Sequence, residues 1–155
     1  MDRRADETRA QVGVPGLDDI LAGGLTPRHV YLLEGNPGTG KTTIALKFLL
    51  EGADKGEQGL YITLSESEVE LRDGAASHGW TIDGKIEVFE LVPPESRLDP
   101  DMQQSLLYSS DLELGETTKM IFDAIARVRP KRIVLDSLSE IRLLAQNSLR
   151  YRRQI

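Results

Sequence analysis

Cysteine is absent from the 155 residues, which excludes disulfides and thiolate-held metals and fits a reducing compartment. Long apolar runs are absent as well. No stretch approaches the roughly 20 apolar residues that a helix needs to cross a bilayer. Residues 1–10 (Met-Asp-Arg-Arg-Ala-Asp-Glu-Thr-Arg-Ala) lack the apolar core of a secretory leader. Internal repeats and low-complexity tracts are missing too. The expected setting is the cytoplasm, with no membrane partner. A hydrophobic content of 39% beside 28% charged residues suits a globular chain, and the length suits one domain with a real core.

Charge is unevenly spread. The net charge of −6 divides into +6 over residues 127–155, where eight Arg/Lys face Asp136 and Glu140, and −12 over residues 1–126. A basic end of this kind is more often a solvated or subunit-contacting face than a nucleic-acid surface. The acidic whole also argues mildly against a dedicated DNA binder. Nucleic acid is therefore an open partner, though not the favoured one.

The chain is organised around Gly35-Asn36-Pro37-Gly38-Thr39-Gly40-Lys41-Thr42-Thr43. This has the G-x-x-x-x-G-K-[ST] spacing of a phosphate-binding P-loop. An apolar run, Val30 to Leu33, precedes it as an expected first strand over 30–34, and a helical pattern follows from Lys41 to about Ala53. The glycines let the backbone turn its N–H groups inward as an anion nest, and the helix start adds unpaired N–H groups and a positive dipole end. In such a loop Lys41 reaches the β/γ-phosphates and the Thr42 hydroxyl is a magnesium ligand. Pro37 stiffens the turn. A bound nucleoside triphosphate, with ATP and Mg2+ as the implied ligands, is the starting expectation.

The rest reads as alternating strands and helices. Residues 1–11 are expected to fray, and Val14 to Leu21 forms a turn and short helix closed by Gly23-Gly24. The helix after the P-loop has an apolar stripe of Ile44, Ala45, Phe48 and Leu49, and Tyr31 is expected in the core. Strands follow at 59–64 and 86–91, separated by a helix over 67–78. Residues 93–115, with three prolines, read as a long loop containing a brief element at 106–108. A helix over 116–129 presents Met120, Ile121, Ala124, Ile125 and Val128 on one face, and Pro130 stops it. Residues 132–136 form a buried-type strand, and a helix resumes from Ser139. The expected fold is α/β, a parallel sheet flanked by helices with right-handed crossovers.

Ligands in such sheets sit at the carboxyl ends of the strands. Asp136, after Ile133-Val134-Leu135, fits the Walker B pattern in which a carboxylate holds magnesium; the competing role is a helix cap. Glu66 lies just past the second strand. It can orient the water that attacks the γ-phosphate, or it can simply favour the dipole of the helix that follows. The residues alone leave both open.

The ordered set of segments resembles a KaiC-type domain of the RecA superfamily of P-loop ATPases. The matching runs are Gly13 to Leu25 (Gly-Val-Pro-Gly-Leu-Asp-Asp-Ile-Leu-Ala-Gly-Gly-Leu), the P-loop, Tyr61-Ile62-Thr63-Leu64-Ser65-Glu66-Ser67, Asp136 to Gln146 and Leu149 to Ile155. The resemblance implies a RecA-like core over 12–155 that hydrolyses ATP with magnesium, commonly in homo-oligomeric hexameric rings with nucleotide between subunits. It favours Glu66 as the water-orienting residue and Lys41 as its catalytic companion. Nucleotide-driven assembly or signalling, with protein partners, is the implied role. A DNA-linked recombination or helicase motor and a non-hydrolysing nucleotide sensor are the rivals. Two departures stand out. Ser65 occupies the first of two positions where such domains carry adjacent glutamates. The chain also ends where such domains continue to further strands, one of which lies between the P-loop and Walker B strands. The domain is accordingly expected to be incomplete at its C-terminus.

Overall fold

The computed structural model describes residues 9–91 and 109–144. Three parallel strands form the sheet: β1 (Gly59–Thr63), β2 (Ile86–Glu90) and β3 (Arg132–Asp136), in the order β2-β1-β3. The helices are α1 (Pro15–Ile20), α2 (Lys41–Asp54), α3 (Glu68–Ser77), α4 (Ser109–Val128) and α5 (Leu138–Leu144). This is the expected α/β architecture. β1 is central, and all five of its residues are buried. Such a strand is covered on both faces, so its sequence runs apolar without alternation.

Alternation still sorts its side chains between two half-cores. Tyr61 points to the α2/α3 side, where it packs with Leu46, Leu49, Ala53, Leu71 and Ala75. Leu60 and Ile62 point to the opposite side, against Leu64, Leu91, Ala124 and Ile141. α3 begins where Ser67 accepts from the Glu70 N–H while the Glu70 carboxylate accepts from the Ser67 N–H, a complete capping box.

Several expectations change. α2 buries Leu46, Leu49 and Ala53, so its core face shares only Leu49 with the expected stripe; Ala45 and Phe48 are half-buried beside it. The Phe48 ring instead lies under the Arg132 guanidinium, 4.7 Å away. α4 starts at Ser109, inside the region expected as loop, and Met120 is 43% exposed rather than on its core face. The expected loop and brief element over 93–108 lie outside the described residues, as do 145–155. Residues 9–11 are tied down: Ala10 pairs with Leu25 in an antiparallel bridge, and the Gln11 carbonyl accepts from Arg132. The remainder of the expected frayed tail, 1–8, lies outside the described residues.

The largest correction concerns the first strand. Residues 30–34 form no strand, Val30 is 97% exposed and Leu32 71%, and Tyr31 is out of the core with its hydroxyl on Thr26. A strand requires a neighbour for its backbone N–H and C=O groups. β3 pairs with β1 on one edge, and among the described residues no strand pairs with its other edge. Apolar and β-branched composition therefore has no ladder to join here.

Candidate functional site

The in-register sheet brings Thr63 of β1 beside Asp136 of β3 at the carboxyl ends of the strands. The P-loop meets them through the start of α2. Gly38 (φ 80°) and Gly40 (φ 85°) adopt left-handed backbone, which a side chain would strain, and Gly40 is the N-cap of α2. The Thr39 hydroxyl donates to the Asn36 carbonyl (2.8 Å), closing the turn around Pro37. The Lys41 ammonium donates to the carbonyls of Gly35 and Asn36, both at 2.9 Å. An ammonium has three donors; two hold the loop, and a third remains for an anion.

Thr42 and Asp136, 94 positions apart in the chain, meet directly: the hydroxyl donates to Oδ2 at 3.4 Å. The same Oδ2 accepts a much shorter bond, 2.6 Å, from the Tyr61 hydroxyl. Burial first, then its bond to Asp136 and the nearby charges of Asp136 and Glu66, push the Tyr61 phenol well above its ordinary range, with Thr42 opposing. The phenol is therefore a fixed donor. Among the described residues, the Asp136 carboxylate makes its hydrogen bonds to Thr42 and Tyr61 and not to the N-terminus of α5.

Glu66 follows β1 on a turn held by Thr63, whose hydroxyl donates to the Glu66 carbonyl (2.7 Å) and accepts from its N–H (3.0 Å). Capping of α3 is carried by Ser67 and Glu70, so Glu66 stands outside the cap. Its side chain lines a cleft of about 140 Å³ together with Thr42, Thr43, Glu70 and Leu71. Burial first, then the charges of Asp136 and Glu70, raise its pKa above the usual glutamate value. The structure thus brings Lys41, Thr42, Thr43, Glu66 and Asp136 to one end of the sheet. Gly35 to Thr39 form the exposed loop above α2.

The donor set suits some ions and not others. Among the described residues, no three His, Cys, Asp or Glu converge as an all-protein cage. One carboxylate and one hydroxyl instead suit a hard cation that keeps waters and takes its other ligands from phosphates, as Mg2+ does. The two residues that sequence reasoning overlooked are Tyr61 and Thr63. Both were legible only as strand residues; their alternation onto the α2 face was the available signal.

The basic end carries less free charge than its composition suggests. Arg127 pairs with Glu87 at 2.5 Å, and Arg132 is buried against Glu57 at 2.6 Å. The arginines at 150, 152 and 153 lie outside the described residues. No helix is long and apolar enough to cross a membrane among the described residues.

A glycine loop opening a helix, with a carboxylate at the carboxyl end of a parallel strand, has the form of a P-loop nucleotide-binding domain. The family model described as "ATPase: KaiC" matches residues 10–155, and the chain belongs to that family, the KaiC-like branch of the RecA-type ATPases. It is similar to UPF0273 proteins of Pyrococcus furiosus (35% identity over 138 residues) and Pyrococcus horikoshii (34% over 137), in each case covering 86% of this chain and 56% of the relative. A UPF0273 protein of Thermotoga maritima is 29% identical over 138 residues, 86% of this chain and 57% of its own. The chain spans about half the length of the curated relatives it matches.

Proposed function

We propose that this site binds ATP with Mg2+ and hydrolyses the γ-phosphate. The observation that carries the reading is the meeting of Thr42 and Asp136 at the first turn of α2, directly beside Lys41. In this reading the loop from Gly35 to Thr43 receives the phosphates through its N–H groups and the dipole of α2. Lys41 adds a point charge at the β/γ-oxygens. Thr42 and Asp136 would hold the Mg2+, which supplies neutralisation of charge developing on those oxygens. Glu66, beside Thr42 in the cleft, accepts a hydrogen bond from the attacking water and orients it. Burial and the neighbouring charges of Asp136 and Glu70 raise its pKa, the direction that makes a carboxylate a better proton acceptor.

Membership of the KaiC family supports assembly into a homo-oligomeric ring and a role in nucleotide-driven assembly or signalling.

Binding of a fluorescent ATP analogue, with and without Mg2+, tests the reading. Lys41→Ala is expected to weaken binding by roughly 10- to 100-fold, the value of a charge-assisted hydrogen bond to phosphate. Equal binding by parent and variant would remove the phosphate role from this loop. Phosphate release by the parent chain then tests hydrolysis as a separate matter.

A further inference from the structure

We propose that Tyr61 is a positioning residue for Asp136, its buried phenol O–H fixing the carboxylate at the Thr42 hydroxyl, where the two would share a divalent cation. This rests on the Mg2+–nucleotide reading above and assigns a residue that the P-loop and Walker B patterns do not contain.

Three observations carry it. The Tyr61 ring is fully buried, wedged among Leu46 and Leu49 of α2 and Leu71 and Ala75 of α3. The hydroxyl therefore sits where the core puts it, with no rotamer freedom to follow its acceptor. Register supplies the second: Tyr61 pairs with Val134, which places Asp136 on the diagonal two residues further along β3, within reach of a long aromatic side chain. The third is the contact itself. Asp136 Oδ2 receives Tyr61 at 2.6 Å and Thr42 at 3.4 Å, so the short, charge-assisted bond comes from the core and the looser one from the P-loop. An acidic side chain at a strand end would otherwise turn freely. Anchored to the phenol, it stays poised beside Thr42 before any ligand arrives. Groups that orient a metal-binding side chain in this way typically alter metal affinity by roughly 10- to 100-fold when removed.

A buried phenol that merely needs an acceptor would leave metal dependence untouched, and this separates the two cases. Using the full chain, Mg2+ is titrated into protein and a fluorescent ATP analogue, for the parent, Tyr61→Phe and Asp136→Asn. Tyr61→Phe is expected to require roughly 10-fold more Mg2+ for half-maximal effect. Its affinity for the analogue in EDTA is expected to match the parent. An unchanged or lowered Mg2+ requirement in folded Tyr61→Phe overturns the proposal. A parent chain whose nucleotide binding ignores both Mg2+ and Asp136→Asn overturns the underlying reading, and this proposal with it; the two failures are thus distinct. Should Tyr61→Phe not fold, a chain carrying Tyr31→Phe, Tyr108→Phe and Tyr151→Phe leaves Tyr61 as the single tyrosine of the original four. Its 13C-labelled Cζ resonance is expected to move when Mg2+ is added to the nucleotide complex. A resonance that stays in place overturns the proposal.

Discussion

Glu66 sits where burial and the charges of Asp136 and Glu70 all disfavour its ionised form. Its folded pKa is therefore above its unfolded one. Between those two values the native chain binds more protons than the unfolded chain, so stability contributed at low pH is lost as pH rises through the folded pKa. Glu66→Gln removes that loss. The variant is expected to melt at or above the parent temperature at pH 7, with the advantage gone below the unfolded glutamate pKa of about 4.3. Phosphate release should fall by roughly 100-fold or more while nucleotide affinity holds, as for loss of a general base. Thermal melts at both pH values and a phosphate-release assay check this, and a lower melting temperature at pH 7 would contradict it. The candidate residues themselves were legible from spacing: Gly35 to Thr43 as one motif, Asp136 after its apolar run, Glu66 after the second strand. Tyr61 was not. Its contact with Asp136 spans 75 positions and exists only once β1 and β3 are in register.

At the scale of elements, the clearest test lies on α2 and β3. Arg132 opens β3 with its side chain only 4% exposed. It donates to Glu57 (2.6 Å), to the Phe48 carbonyl (2.8 Å) and to the Gln11 carbonyl (2.5 Å), and its guanidinium covers the Phe48 ring. This clamp joins the N-terminal segment, α2 and the sheet. Gly52 makes room for it. Replacing an interior helical glycine by alanine ordinarily gains up to about 1 kcal/mol. Here the new Cβ would lie 2.6 Å from Arg132 Cδ and Nε and 3.0 Å from Glu57 Oε2. Arg132 cannot swing aside without breaking its bonds, so overpacking outweighs propensity. Gly52→Ala is expected to destabilise the chain by about 1–3 kcal/mol in urea unfolding; a stabilised variant would show that the clamp re-seats freely. Element existence was readable here from periodicity and stop residues, as the helix expected over 67–78 and found as α3 shows. The core face of α2 was not. Leu46 and Ile44 are equally apolar, and only the sheet beneath the helix chose between them.

Across the molecule, protection should follow pairing rather than composition. Residues 30–34 and β1 have similar apolar, β-branched content. β1 lies between β2 and β3, whereas Val30 and Leu32 face solvent. Backbone amides of Leu60, Tyr61 and Ile62 are expected to exchange at least roughly 1000-fold more slowly than those of residues 31–34, as read by hydrogen–deuterium exchange. Comparable rates would mean that the segment before the P-loop is paired in solution.

What the sequence determined by itself is local: a glycine loop with P-loop spacing, glycine and proline stops that end helices, and carboxylates that end strands. These depend on neighbours a few positions apart. The alternation of apolar runs and helical patterns determined the α/β class in the same way. Tertiary structure decided what depends on partners distant in the chain. It put Thr42, Tyr61 and Asp136 around one carboxylate oxygen and chose the buried face of α2. It also left residues 30–34 outside the sheet, because a strand is made by its neighbour's hydrogen bonds and not by its own residues.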